Sequence, residues 1–391
     1  MLLRALVCLL LAVPALAGEE AAEAPADRWP HTRGPASGSG CSAMPPIEAL
    51  GPAAWTHKTK EPILATPLVW DGVGFVISGT ERRATLEALD LDSGKRLARR
   101  TVKGIGLEPR PALYQNTALF RTDGGKRILA YRLFGSQLRW RWTYTIQRGG
   151  VASAPRVHKG EVYITTRNAL LRLRIGRRLP VWKRDGALFG ETAVLGSHVY
   201  ALERIGAKVI LVAFSRESGE RVAAVELAKI GSPVPGGTIA AAEGVIAVQL
   251  PPENSGQWAL VSRKVEGGKL VLRYDRTEKI VAEVVTIGST VVGFHKNEWS
   301  FLRTEGRKRA AIGQGRPELK NGATAPVFLA GTGCLGTWAA NFQTREIFWR
   351  LDEQPGLSNP KFPPTPADGK LLMVSQDGKQ LLAVTEEKIG P

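Results

Sequence analysis

Apolar and polar residues alternate along most of this chain in short runs, and a proline or small residue precedes each group of runs at a recurring distance. Pro67 opens PLVWDGVGFVISG, Pro111 opens PALYQNTALFRTDGG and Pro155 opens PRVHKGEVYITTR, two successive steps of 44 residues. In each, a turn signal follows four or five places on, then an apolar strand of period two, the pattern of an antiparallel hairpin. Weaker copies start at Ala193, Ile239 and Val284, and proline returns at Pro326 and Pro366. A third strand and usually a turn come next, as in TLEALDLDSGKRLARR at 85–100, ILAYRLFGSQLRWRW at 128–142 and LLRLRIGRRLPVWKR at 170–184. Eight such units of about four short strands predict an all-β chain, an eight-bladed β-propeller of four-stranded antiparallel blades. Three central copies are faint, and seven blades or a different strand division is the alternative.

The last unit offers only three strands before Pro391. WTHKTK at Trp55–Lys60 lies just ahead of the first unit, and Trp55 matches the outer-strand tryptophans Trp140, Trp142, Trp182 and Trp349. This segment is expected to lend the missing strand, so that the ring closes three plus one, with Trp55, His57 and Thr59 as closure residues.

Composition agrees. A chain of 391 residues exceeds the usual single domain, but repeats escape that limit because each unit buries its face against a neighbour. Gly 43 and Pro 25 supply the turns. Residues 1–17, with Arg4, an apolar run from Ala5 to Val13 and small Ala15 and Ala17, read as a secretory signal cleaved near Ala17. The apolar core is shorter than the roughly 20 residues that span a bilayer, so no transmembrane segment is expected in the mature chain. Residues 18–52 read as a linker and 53–391 as the propeller. Cys41 and Cys334 remain after Cys8 leaves; an oxidising compartment predicts that they pair, the alternative being two unpaired small residues.

The LDLDSGK turn at 89–95 and the tryptophan-bearing fourth strands resemble the quinoprotein-type, PQQ-like β-propeller repeat. RWPHTRGP at 28–35 is similar to the WPxxRGP start found in secreted proteins of that superfamily, which singles out Trp29, Pro30, Arg33, Gly34 and Pro35. A tryptophan in a polar tail is usually held against something: the segment either plugs or lines a propeller face, or is a disordered arm. The resemblance implies two branches: quinoprotein dehydrogenases, and the propeller scaffold of the outer-membrane β-barrel assembly machinery.

The dehydrogenase branch holds its quinone against a disulfide of adjacent cysteines and binds Ca²⁺ through acidic and amide side chains. Here no two cysteines adjoin, and Asp90, Asp92, Asp275 and Asp352 occupy repeat turns, where Asp serves the backbone. His31, His57, His158, His198 and His295 are scattered, each expected at the surface or in a turn, so no metal site is predicted. No nucleophile elbow, phosphate loop or HExxH motif appears.

Charge carries the remaining signal. The formal net charge is +17, or +16 without Arg4. Lys95, Arg96, Arg99, Arg100, Arg139, Arg141, Arg172, Arg174, Arg177, Arg178, Lys183, Arg184, Arg307, Lys308 and Arg309 fall in or beside third and fourth strands. Such charges either block edge-to-edge association or form a belt for anionic partners. The expectation is a periplasmic or secreted, monomeric, non-enzymatic propeller scaffold that binds envelope proteins and carries no cofactor, metal or nucleic acid. The alternatives are a PQQ-dependent oxidoreductase and a polysaccharide or small-ligand binder using the central channel.

Overall fold

The computed structural model describes the backbone of residues 28–387 apart from internal stretches, the two longest at 312–326 and 351–361, and side chains mainly of 28–250 and 362–387. The proposed signal, residues 1–17, and Asp352 lie outside the described residues, as does Arg33.

The described strands form repeated four-stranded antiparallel sheets, as in a β-propeller. Unit 1 runs through Leu68–Trp70, Val73–Gly79, Arg83–Asp90 and Arg96–Lys103. Unit 2 comprises Ala112–Tyr114, Thr117–Arg121, Arg127–Phe134 and Gln137–Thr145. Unit 3 comprises Arg156–His158, Glu161–Thr166, Ala169–Arg174 and Trp182–Asp185. Units 4 to 7 follow within 188–229, 238–277, 285–311 and 327–350. The outer strands of units 4 and 5 touch in parallel at Ala224 and Lys269, which merges the two into one eight-stranded sheet. Unit 8 contributes Thr365–Pro366, Lys370–Val374 and Gln380–Glu386, and Leu50–Lys58 pairs antiparallel with the last of these. The sequence placed that strand at 55–60; it begins five residues earlier.

Sheets buried on both faces explain why the second strands are apolar at nearly every position. In unit 3, Val162 and Ile164 join Leu119, Ala130 and Trp142 of unit 2, while Tyr163 between them faces Val199 and Val212 of unit 4. Units 1 and 2 meet through Phe75, Leu86, Phe120 and Leu138. Units 8 and 1 meet in the same way, with Leu372, Met373 and Val384 against Val76, Leu89 and Leu91.

A second device crosses the unit boundaries. The indole N–H of Trp55 donates to the Leu91 carbonyl (2.8 Å), that of Trp142 to Arg177 (2.8 Å) and that of Trp182 to Arg216 (3.0 Å). Each acceptor lies at the third-to-fourth-strand turn of the next unit. Two of these turns share a build: Gly94 N–H bonds the Asp90 carbonyl and Gly219 N–H the Ser215 carbonyl. The Asp90 carboxylate accepts from the N–H and hydroxyl of Ser93 at 2.8 and 2.6 Å, which holds its pKa below the ordinary aspartate value. The tryptophan lies flat on the glycine, so that a Cβ on Gly94 would stand 2.5 Å from Trp55 and one on Gly219 2.6 Å from Trp182.

The two glycines are required twice over, by the indole and by a left-handed backbone, whereas Gly206 in unit 4 has a φ of +61° with nothing near its missing Cβ. Gly219→Ala should therefore cost about 2–4 kcal/mol, from the left-handed conformation plus overpacking. Gly206→Ala should cost only the first part, about 1–2 kcal/mol. Urea titrations of the two variants check this, and equal midpoints would remove the indole from the explanation.

Candidate functional site: the ring axis and the basic rim

Residues 28–42 follow the free edges of the innermost strands, one unit after another. Arg28–Trp29 pairs antiparallel with Val69–Trp70 of unit 1. The Pro30 carbonyl accepts from Leu113 N–H of unit 2 at 2.8 Å, and His31 bridges Ala112. His31 Nε2 accepts from Val157 N–H of unit 3 at 2.8 Å. The carbonyls of Ala36 and Ser37 accept from Val194 of unit 4 and Ala241 of unit 5 at 2.9 and 3.0 Å, and Cys41–Ser42 pairs in parallel with Phe328–Leu329 of unit 7. Inner strands would otherwise present unpaired N–H and C=O groups to the axis.

The WPxxRGP-like segment folds as a turn that makes this path possible. Gly34 N–H bonds the His31 carbonyl at 2.9 Å, and His31 Nδ1–H donates to the Gly34 carbonyl at 3.0 Å. Gly34 has a φ of +72° and its missing Cβ would sit 2.8 Å from the Trp29 ring, so glycine is required there. Trp29 is 0% exposed, Pro35 is buried, and Met44 and Ile47 continue the same core. Among the described residues Trp29 Nε1 has no hydrogen-bond partner, a cost its burial offsets. Of the expected surface or turn role for His31, the turn is found and the surface is not: it is 2% exposed, with both ring nitrogens committed because the strand edge needs an acceptor and the turn a donor.

Burial first, then the nearby Arg156 and His158, hold the His31 pKa well below its usual value, against the Gly34 hydrogen bond. Arg156 is itself buried, donating to the Thr192 carbonyl (3.1 Å) and to Glu191 Oε2 (2.6 Å), which ties unit 3 to unit 4. Between Leu50–Lys58 and unit 1, His57 Nε2 lies 3.2 Å from Glu87, which also receives Arg96 Nη1 at 3.2 Å. Burial opposes the charge on Glu87, and these hydrogen bonds outweigh it to lower its pKa. Thr59 N–H bonds the Lys379 carbonyl at 2.9 Å and its hydroxyl reaches Glu61 O at 2.8 Å.

The rim cations divide into two groups. Arg172 donates to Arg216 O, and Arg184 to Gly219 O and Ser218 O, each at 2.7 Å, gripping the next turn beside Trp182. Arg139, Arg141, Arg177 and Arg178 instead face solvent. Trp140 does not match Trp142 as expected. A bulge pairs Ala130 with Trp142 but Tyr131 with Trp140, so the two rings leave opposite faces and Trp140 is 61% exposed.

Cys41 and Cys334 reach the same sheet. Cys41 pairs with Phe328, whose strand lies between it and the strand of Cys334. Among the described residues no three His, Cys, Asp or Glu side chains converge as metal ligands, and no helix is long and apolar enough to cross a membrane.

The unfolded chain has an ordinary histidine pKa near about 6.5, so below that pH it takes up a proton that folded His31 resists. Stability is therefore full above about pH 6.5 and declines as pH falls below it. His31→Gln should be less stable at pH 8, by about 1–3 kcal/mol for the lost hydrogen bonds, but with a flatter decline toward pH 5. Superimposable pH slopes in urea titrations would show that His31 does not titrate with folding.

A family profile described as outer membrane protein assembly factor BamB matches residues 48–223. BamB from Moraxella catarrhalis superposes with a TM-score of 0.54 at 14% identity, covering 89% of this chain and 96% of its own. A europium-containing methanol dehydrogenase gives 0.59 at 12% identity, with 92% and 89% covered. Saccharomyces cerevisiae Sqt1 gives 0.58 at 12%, with 88% and 97% covered. Identities this low establish the propeller fold and leave activity to the site. No curated protein sequence matches the chain. The chain resembles PQQ-like propeller-repeat proteins, BamB among them, with the profile match confined to residues 48–223.

Proposed function

We propose that this chain is an eight-bladed propeller, closed three plus one by Leu50–Lys58, that acts without catalysis as an envelope scaffold for other proteins. Residues 53–391 are its ring, 18–52 its lead-in and 1–17 a leader that exports it to the periplasm or the outside. The observation that carries the reading is the occupied axis: the chain's own residues 28–42 hydrogen-bond to the inner strands of units 1–5 and 7. A small ligand entering there would have to displace a fully buried tryptophan and a string of backbone hydrogen bonds. What remains for partners is the rim and the loops at the two ends, which suit protein surfaces.

Site-specific photo-crosslinkers at Lys103 and at Lys208 in the exported full-length protein test this. The expectation is one discrete envelope-protein adduct, while the purified protein shows no saturable PQQ binding with Ca²⁺. Saturable PQQ binding with dye reduction by an alcohol would replace the scaffold with the oxidoreductase reading.

We also propose a thiol state. Two strand spacings separate the α-carbons of Cys41 and Cys334 by about 10 Å, beyond the roughly 4.4–6.8 Å of ordinary disulfides. Pairing therefore requires the two-residue strand Cys41–Ser42 to leave Phe328. With that register kept, denatured mature protein should titrate two thiols without reductant; none would mean that the bridge forms and the strand shifts.

A further inference from the structure

Units 2 and 3 carry a charge imbalance that the ring does not need. Between Asp123 and Asp185 the sequence has one carboxylate, Glu161, and Arg172 and Arg174 hold it at 3.1 Å each. Arg132, Arg141, Arg177 and Arg178 are exposed in this sector, with no acidic partner among the described residues. Trp142 donates to Arg177 O, which seats the 175–181 turn of unit 3 against the outer strand of unit 2. Apolar side chains stand exposed on both elements: Phe134 at 62% and Trp140 at 61% on the outer hairpin of unit 2, Leu179 at 78% and Val181 at 44% on that turn of unit 3. Trp140 bonds Thr143 Oγ1 through its indole N–H, and the Arg139 guanidinium lies 4.9 Å from the Phe134 ring centre.

From this we propose that the rim of units 2 and 3 docks on an anionic lipid bilayer, with Phe134, Trp140 and Leu179 entering the headgroup layer and Arg141, Arg177 and Arg178 meeting lipid phosphates. Protein hot spots cluster in packed pockets, whereas these side chains stand out singly with arginines beside them. Protruding aromatic and aliphatic tips set among cations are the chemistry of interfacial anchoring. The carboxylates here, Glu161 and Asp185, are each paired with a cation, so a negative surface meets little local repulsion. The site is independent of the protein-scaffold reading, since lipid vesicles contain no protein partner.

The test is vesicle co-sedimentation of the mature full-length protein. It should bind phosphatidylcholine vesicles containing about 30% phosphatidylglycerol, stay in solution with phosphatidylcholine alone, and release as salt shortens the screening length. Arg141→Glu/Arg177→Glu/Arg178→Glu should lower the partition coefficient at least about tenfold. Phe134→Ser/Trp140→Ser/Leu179→Ser should lower it several-fold, and Lys58→Glu/Lys60→Glu, at and just beyond the end of the outer strand of unit 8, should leave it near wild type. Circular dichroism confirms that each variant is folded. The proposal fails if anionic vesicles are not bound, or if the unit 8 variant weakens binding as much as the rim variant. It fails equally if the apolar triple variant binds as wild type while polyglutamate displaces the protein, which would assign the surface to acidic polypeptides, or if inorganic phosphate displaces it at matched ionic strength.

Discussion

An indole N–H given to a backbone carbonyl of the next unit, with the ring laid on a glycine at two of three such boundaries, fixes how neighbouring units meet. Each four-stranded unit is apolar on both faces and cannot stay folded alone, so stability resides in the boundaries. Interdigitated Val, Leu and Ala supply the area but permit sliding. Trp55, Trp142 and Trp182 add direction: each can reach its carbonyl only when the outer strand of one unit sits at a fixed height against the turn of the next. Trp55 makes this contact from a strand that belongs to unit 8 in space and precedes unit 1 in sequence. The boundary between chain ends is therefore built like an internal one, with His57–Glu87 and Lys370–Asp92 added across it.

Radial sheets leave two kinds of open edge, and the chain treats them differently. Innermost edges are covered by residues 28–42, whose bonds to units 2, 4 and 5 go through the Pro30, Ala36 and Ser37 carbonyls. Apart from the Ala224–Lys269 contact, the described outer edges stay open and carry cations that oppose edge-to-edge pairing. Both solutions satisfy or protect backbone groups, but only the inner one uses up its surface. Arg172 and Arg184 show that some rim charge is spent on holding the next turn, so net charge alone overstates what is offered to a partner.

Much of this was legible in the sequence wherever a side chain had to do the work. Pro67, Pro111 and Pro155 mark the first three inner strands, Asp90 marks a turn through its bonds to Ser93, and Trp55 announces the borrowed strand through its docking indole. The axis was only half legible. Trp29 and Gly34 signalled a held segment because ring and glycine need each other, while the reach to units 4 and 5 rests on backbone carbonyls that any residue supplies. For His31 the sequence offered only a surface or turn role, because no local pattern reveals an acceptor needed by Val157, distant in sequence. Trp140 and Trp142 looked equivalent at a spacing of two, and a one-residue bulge reversed one of them. The contact merging units 4 and 5 is a single backbone pair, Ala224 with Lys269, which leaves no mark in composition.

The relatives show why function has to be argued from such local features. An assembly factor and a methanol dehydrogenase superpose on this chain about equally well, so the ring itself discriminates nothing. At the axis the ring's tightest inward-facing polar groups, His31, Arg156 and Glu191, are consumed by one another and by backbone, with burial suppressing the charge on His31. A catalytic or ligand-binding centre needs polar groups left over after folding. In the described parts of this molecule the exposed groups include the arginines and protruding rings of units 2 and 3.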